Sequence, residues 1–365
     1  MTATALEDRA CEACLVRSWL LARLAAHLER VRARISQVLA LDDPSLIAAV
    51  AGRRRDELRA QLTALDPREL RARAAAAGLE LVCRCDPSYP RRLRALCSPP
   101  AVLHVAGGLQ RFLASVAEDP VAIVGARRAT PYGLEVARSL GRGLAGAGVT
   151  VVSGMALGVD AAAHAGALAV DGRTVAVLPA GAERTYPPAK RALHAKIRAG
   201  GAAVSELPPG SDVHRWTFPA RNRIIAALSA ITIVVEAGDR SGALLTARFA
   251  RGLGRPIGAV PGRVTSPLSA GPNGLLAGGA TVVRGPQDVL DALFGAGVRD
   301  APDALRPRPA PALAPLLDAI AEGHDTSAAL SRAGFAPADA LAALAALELG
   351  GYVRREPGGR FSILP

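Results

Sequence analysis

A doubly wound α/β fold is predicted by three features of the sequence. From residue 121 to about 293, short β-branched runs alternate with longer segments of helical periodicity, the rhythm of parallel strands joined by crossover helices. Most of these runs end in glycine and other small residues, as ligand-binding turns do. On either side the pattern changes, to helical periodicity alone before residue 80 and to proline-rich sequence after 294.

Residues 1–80 read as a small helical domain. Apolar periodicity spans 15–40 with arginines on the other face, and Asp42-Asp43-Pro44 and Asp66-Pro67 carry the acidic cap and early proline that open later helices. The arginines at 53–55, 59, 68, 71 and 73 either touch nucleic acid or form a solvated helix face. Residues 81–119 form a connector that packs on the core, with short strands at Leu81-Val82 and Val102-Leu103-His104-Val105 around the turn Asp86-Pro87-Ser88-Tyr89-Pro90. The α/β domain covers 120–294, with strands at 121–124, 149–152, 174–178, 202–205, 231–236, 257–260 and 281–283. A linker with Pro302, Pro307, Pro309 and Pro311 covers 295–312, and a last unit covers 313–365.

The chain has 365 residues, 50% of them apolar, enough for a large core. Its formal net charge of +12 fits a polyanionic partner such as nucleic acid, or else a bias toward arginine, because only Lys190 and Lys196 are lysine. Aromatic residues make up 3%, which argues against a long base-stacking surface. No long uncharged apolar run occurs, and Glu7, Asp8 and Arg9 stand where a signal peptide would be basic and then apolar. The expected location is therefore cytoplasmic, with no membrane insertion. The five cysteines suit a reducing compartment. Cys11-x-x-Cys14 and Cys83-x-Cys85 form either a tetrahedral zinc site or ordinary small core thiols, the CxC spacing being uncommon among zinc ligands. The histidines at 27, 104, 164, 194, 214 and 324 have no ligand spacing.

Ligands of doubly wound sheets bind beyond the carboxyl ends of the strands. The run 121–124 ends in Gly125-Ala126-Arg127-Arg128 before Thr130-Pro131 opens a helix. A glycine turn, free N–H groups at a helix start and the Arg127 guanidinium make an anion site with phosphate as its expected ligand, Arg128 being left to solvent. The next run leads into Ser153-Gly154-Met155-Ala156-Leu157-Gly158-Val159-Asp160. Here Gly154 and Gly158 let backbone close on an anion, Ser153 offers a hydroxyl, and Asp160 fixes the loop by accepting backbone N–H bonds. His164, one turn after Asp160, either pairs with it structurally or takes part in catalysis. Neither loop is GxGxxG and no GxxxxGK[ST] occurs, which removes the main support for dinucleotide oxidoreductases and P-loop enzymes.

Further on, Tyr186-Pro187-Pro188-Ala189-Lys190-Arg191 makes a turn and a basic helix start. Arg221, Asn222 and Arg223 surround a helix's first turn, where arginine opposes the helix dipole and calls for an anionic partner, either ligand or buried carboxylate. Glu236-Ala237-Gly238-Asp239-Arg240-Ser241-Gly242 with Thr246 is another small-residue turn into a helix, and Pro261-Gly262-Arg263 follows the run 257–260. No plausible Ser–His–Asp or Cys–His set accompanies these turns. Several phosphate grips in a row suit a nucleic-acid strand.

In combination, Val124-Gly125-Ala126-Arg127 with Thr130 and Tyr132-Gly133, Ser153-Gly154-x-Ala156-x-Gly158-x-Asp160 with Ala163-His164, Tyr186-Pro187, Ser205-Glu206, Phe218-Pro219-x-Arg221-Asn222-Arg223, Glu236-Ala237, Ser241-Gly242-x-x-x-Thr246-Ala247, Pro261-Gly262 and Gly271-Pro272-Asn273 closely resemble the bacterial DNA-processing protein A (DprA/Smf) family. The match runs from about Asp86 to Leu293. The resemblance implies an extended Rossmann-like core that binds single-stranded DNA, forms a homodimer and loads the recombinase RecA in natural transformation, displacing or bypassing single-strand-binding protein. It implies no catalytic residue, cofactor or metal in that site. By position, Arg127 and the Lys190/Arg191 pair match DNA-contacting basic residues, and Gly125, Ser153, Gly154, Arg221 and Arg223 match pocket motifs. Gly158, Asp160, His164, Asn222, Glu236, Ser241, Gly242 and Thr246 fall in the supporting loops.

The resemblance also implies a SAM-like N-terminal domain, although its glycine-rich hairpin is absent from residues 1–80, and a C-terminal winged-helix domain. The latter has helices near 313–322, 326–332 and 337–349 and a basic wing around Pro357-Gly358-Gly359. Its third helix holds Asp339 and Glu348 and no basic residue, which favours an auxiliary or protein-contact role. The competing expectation is a Rossmann-type nucleotide-binding enzyme, similar to nucleotide phosphoribohydrolases, with Glu236 as general acid/base.

Overall fold

Seven apolar runs form the parallel core of one sheet in the computed structural model, which describes residues 9–301 and 309–363. Glu7 and Asp8 at the start, and Pro302 and Pro307 of the expected linker, lie outside the described residues. In chain order the strands are β1 (Glu80–Cys83), β2 (Val102–Ala106), β3 (Val121–Val124), β4 (Val151–Ser153), β5 (Thr174–Val177), β6 (Ala202–Ser205), β7 (Ile231–Val234), β8 (Ile257–Ala259) and β9 (Thr281–Val282). Among the described residues they make a nine-stranded sheet in the order β1-β2-β6-β5-β4-β3-β7-β8-β9. From β6 to β9 in that order the pairing is parallel, whereas β2 runs antiparallel to β6 and β1 to β2. The connector is thus more than a covering segment, because its two strands extend the sheet itself. Full burial of β2 explains why Val102–Ala106 is apolar at almost every position.

Alternation along each strand serves two faces. Val121 and Ile123 of β3 point into one apolar cluster with residues of α8 (Pro131–Gly146), α9 (Val159–Leu168) and α14 (Pro286–Phe294). Ala122 and Val124 point into another, with residues of α7 (Leu109–Val116), α11 (Thr217–Leu228) and α12 (Gly242–Gly252). Helices α10 (Arg191–Gly200) and α13 (Ala270–Ala277) complete the crossovers. The chain steps outward from β3 through β4 and β5 to β6, then returns to place β7 on the other side of β3. That reversal puts the topological switch point between the loops after β3 and β7.

Among the described residues six α-helices precede the sheet: α1 (Glu12–Arg23), α2 (Ala25–Leu28), α3 (Ile35–Leu39), α4 (Asp43–Val50), α5 (Arg55–Thr63) and α6 (Pro67–Ala76). The two Asp–Pro signals act as anticipated: Asp42 accepts from Ser45 N–H at 2.8 Å and Asp66 from Arg68 N–H at 2.9 Å, each with proline in the first turn. Leu20, Leu24, Leu28, Leu46 and Leu58 share a cluster with Leu207, Trp216 and Ala220 of the α/β region. The described residues up to Ala301 accordingly form one compact unit, and those from 309 to 363 a second.

In the second unit, α15 (Ala314–Ala321), α16 (Ser327–Arg332) and α17 (Pro337–Leu349) precede a hairpin of β10 (Val353–Arg355) and β11 (Phe361–Ile363). These helices and the hairpin stand near the positions read for them from the sequence. Leu316, Leu330, Leu344, Val353 and Phe361 make its core, and Arg360 pairs with Asp325 at 2.9 Å.

Two histidines are sealed inside the sheet layer. His104 lies on β2, and burial lowers its pKa to about 4 against a partial offset from the Ser205 backbone. His164 does not pair with Asp160, contrary to the pairing that its spacing suggested. Its Nδ1 meets Thr174 Oγ1 at 2.7 Å, because α9 turns that face toward β5. Burial, reinforced by Arg221, lowers the His164 pKa to about 3. Unfolded histidine titrates near 6.5, so below that pH the unfolded chain takes up protons that the folded chain refuses. Their contribution to stability is complete above pH 6.5 and falls as pH drops toward the folded values, by up to about 1.4 kcal/mol per pH unit for each histidine. Urea unfolding should show a lower midpoint at about pH 5 than at about pH 7.5, and a shallower pH dependence in His104→Gln. The same dependence in that variant would take His104 out of the account.

Candidate functional site

The switch point is filled from within. Glu236 follows β7, and its buried carboxylate accepts from Thr130 N–H at 2.8 Å and from Thr130 Oγ1 at 2.6 Å. Thr130 is the N-cap of α8, and its Oγ1 in turn accepts from Gly133 N–H at 3.1 Å. A Cβ at Gly133 would overlap the carboxylate, so glycine is required where α8 passes over it. The phosphate expected at this helix N-terminus is therefore replaced by the chain's own anion, which accepts the Thr130 N–H and lies at the same positive dipole end. Gly125 serves that closure as well. A side chain there would come 2.6 Å from Val159 Cγ2 and 2.9 Å from the Glu236 carbonyl. Ala126 N–H donates to that carbonyl at 2.6 Å. Its smallness answers to packing between loops rather than to an approaching ligand.

Other anticipated residues are likewise engaged inside. Ser153 is fully buried and its hydroxyl donates to the Ile123 carbonyl at 2.6 Å, tying β4 to β3 instead of offering itself at the surface. Asp160 accepts from Gly154 N–H at 3.1 Å. Burial pushes the Asp160 carboxyl pKa upward, and the Arg221 charge opposes that rise. Gly158 has φ of +80°, and a Cβ there would overlap the Ala126 carbonyl, to which Val159 N–H donates at 3.2 Å. Between them Met155 is buried at φ of +55°, a conformation that a non-glycine residue holds only under local constraint. Ser241 caps α12 by accepting from Ala243 N–H at 3.3 Å, Asn222 Nδ2 donates to the Gly242 carbonyl at 3.2 Å, and Thr246 is buried in the same helix.

The two arginines of α11 part company. Arg223 is 1% exposed, pairs with the Glu206 carboxylate and donates to the Ser98 carbonyl at 2.6 Å. Of the partners anticipated for it, the buried carboxylate is the one present, and the ligand role is corrected accordingly. Arg221 instead reaches the end of β5, where Nη1 donates to the Val177 carbonyl at 2.9 Å. Its guanidinium lies over Gly154, where a Cβ would overlap it. Burial lowers the Arg221 pKa to about 10, with Asp160 opposing and Arg127 adding to the shift.

Arg221 lines a cleft of about 70 Å³ together with Arg127, Gly154, Ala156, Leu157, Pro179, Tyr186, Pro187 and Phe218. Arg127 is exposed and its guanidinium lies 4.7 Å from the Phe218 ring centroid. Tyr186 stands 5.8 Å from Phe218, tilted by 55°. Two cations, two rings and a bare backbone loop thus meet at the ends of β3, β4 and β5. Such a surface holds an anion against the guanidinium and a flat group against the rings. Lys190, half-buried, and Arg191, exposed, follow Tyr186 by one short turn and extend the basic surface along the chain. Two larger hollows, of about 350 and 780 Å³, include no residue of the loops after β3, β4 or β7.

Tyr186 and Phe218 are the site residues that sequence reasoning did not assign. Both stand in the motifs Tyr186-Pro187 and Phe218-Pro219, so position marked them while the low aromatic content pointed away. Two of the chain's twelve Phe, Tyr and Trp residues meet here.

Residues 80–294 match the family model described as DNA recombination-mediator protein A. The chain is 41% identical over 208 residues to Protein Smf of Synechocystis sp., an alignment covering 57% of this chain and 52% of that relative, so it spans about half of that relative's length. Among solved structures it is similar to DNA processing protein A (DprA) from Streptococcus pneumoniae, with TM-score 0.62 and 30% identity, covering 80% of this chain and 99% of that one. DNA processing protein A from Helicobacter pylori, described for its unique single-stranded DNA binding mode, matches with TM-score 0.51 and 32% identity over 56% of this chain and 92% of that one.

The contrast between Arg223 and Arg127 is open to a stability measurement. Arg223→Ala leaves Glu206 buried without its cation and should cost about 3–5 kcal/mol. Arg127→Ala removes an exposed side chain and should change stability by less than about 0.5 kcal/mol. Equal effects in urea unfolding would contradict the division of roles between them.

Proposed function

Because the chain belongs to the DNA recombination-mediator protein A family, we propose that it binds single-stranded DNA at the ends of its parallel strands and passes that strand to RecA without altering it chemically. One arrangement carries this reading: the Arg127 guanidinium stacked on Phe218, with Tyr186 beside it and the Gly154 loop below. The guanidinium takes a phosphate while the rings face a base. In a duplex the bases are stacked on one another and cannot reach such rings, so the ligand is unpaired. Arg221 adds buried positive charge behind the loop, and Lys190 and Arg191 continue the track for further phosphates. Gly125, Ser153 and Arg223 act at one remove, by holding the loops in place.

An enzymatic role for Glu236 is disfavoured by its geometry. Both carboxylate oxygens accept hydrogen bonds from Thr130, and Gly133 closes over them, so the carboxylate is engaged as a helix cap rather than turned toward the cleft. Binding of an oligo-dT over a range of salt concentrations tests the strand-binding role. Arg127→Ala should weaken binding to all sequences and flatten the salt slope by about 0.7, the share of one phosphate on a single strand. Phe218→Ala should lose about 1–3 kcal/mol of binding and leave that slope nearly unchanged. Unchanged affinity and slope in both variants would sink this site, and release of free base from nucleoside monophosphates without DNA binding would restore the enzymatic alternative.

Family membership supports RecA as the recipient, with single-strand-binding protein displaced and two copies of the chain acting together. The unaltered protein should shorten the lag of RecA filament formation on a strand coated with single-strand-binding protein, and Arg127→Ala should not. A lag unaffected by the unaltered protein would remove the transfer step while leaving strand binding intact.

A further inference from the structure

Four of the five cysteines converge at a place remote in sequence from the cleft. Cys11 is the N-cap of α1 and Cys14 lies in its first turn, whereas Cys83 ends β1 and Cys85 sits in the turn that follows. Their four sulfur atoms all lie within 4.8 Å of one another. Cys14 Sγ is 3.8 Å from Cys85 Sγ, and Cys83 Sγ is 3.9 Å from Cys11 Sγ. A zinc ion bound at about 2.3 Å by four thiolates at tetrahedral corners sets neighbouring sulfurs about 3.8 Å apart. The two measured pairs have that spacing. They are far longer than the bond of about 2.05 Å in a disulfide, and an iron–sulfur cluster of several metal atoms spreads its cysteines more widely than one ion does.

We propose that Cys11, Cys14, Cys83 and Cys85 bind one structural zinc ion that fastens α1 to the edge strand β1. The local backbone is arranged for this. Cys11 N–H donates to Cys83 Sγ at 3.4 Å, Cys83 N–H donates to the Arg9 carbonyl at 2.8 Å, and Arg71 Nη2 donates to the Ala10 carbonyl at 2.9 Å. The Arg71 guanidinium is thereby held close to a centre that carries two net negative charges when four thiolates surround Zn²⁺. Each thiol gives its proton to solvent as the ion binds. Cys14 and Cys83 are buried and Cys11 and Cys85 exposed, so an ion reaches the site from one side and all four coordination positions are filled by sulfur. Among the described residues β1 has only β2 as a neighbour in the sheet, and ligands up to 74 residues apart in sequence, Cys11 and Cys85, close the whole N-terminal helical layer into one loop.

Metal analysis of the full chain purified under reducing conditions should find one zinc ion per chain. Cys14→Ser and Cys85→Ser should each lose it, while Cys97→Ser, which changes the exposed cysteine outside the cluster, should keep it. Replacing zinc by Co²⁺ in the unaltered chain should produce the intense ligand-field bands of a tetrahedral tetrathiolate, a readout that does not depend on the folding of any variant. The proposal is overturned by a chain that takes up neither Zn²⁺ nor Co²⁺ when supplied in slight excess, by recovery of iron in place of zinc, or by four cysteines found as two disulfides.

Discussion

One buried carboxylate governs the site. Glu236 comes off β7 and accepts both hydrogen-bond donors of Thr130, so the N-cap residue of α8 is engaged by the chain's own carboxylate. A free carboxylate buried without donors would be costly, and a helix start buried without acceptors equally so. Each cancels the other's penalty, and Gly133 and Gly125 are the glycines that permit the approach. With the crevice between β3 and β7 shut, the ligand surface we propose lies sideways from it along the sheet. It lies over the loops after β4 and β5, where Gly154 leaves space for the Arg221 guanidinium and Arg127 reaches across to Phe218.

Two arginines separated by one residue on α11 show how helix geometry divides labour. Residues two apart on a helix point about 200° apart in azimuth. Arg223 therefore turns into the layer that holds Glu206 and Ser98, and Arg221 turns toward β5 and the cleft. The first is a structural ion pair, and the second is a buried cation lining the cleft, held by a backbone carbonyl rather than by a direct carboxylate bond. Positive charge held in this way remains available to an anion.

The motifs told where loops of small residues end the strands, and the strand positions read from β-branched runs agree with those observed to within two residues at most ends. The helices of the second unit and the two Asp–Pro caps were legible for the same reason: capping and periodicity are local, and no distant contact overrides them here. Less legible were the partners. Ser153, His164 and Arg223 look alike as polar residues near a glycine loop, yet each is bonded to a residue from another strand or loop, at Ile123, Thr174 and Glu206. The cysteines are the converse case, two short spacings with no meaning in either alone.

By itself, then, the sequence determined the doubly wound order of elements, the excess of positive charge and the family motif at each strand end, because these follow from periodicities of a few residues and from residue type. The tertiary structure alone decided which polar groups are consumed inside and which remain for a ligand. Strand order brings Glu236 to Thr130, Arg127 to Phe218 and Cys83 to Cys11 across gaps of 106, 91 and 72 residues. Whether a carboxylate caps a helix or a guanidinium finds a ring depends on those crossings of the sheet, which no local pattern of residues encodes.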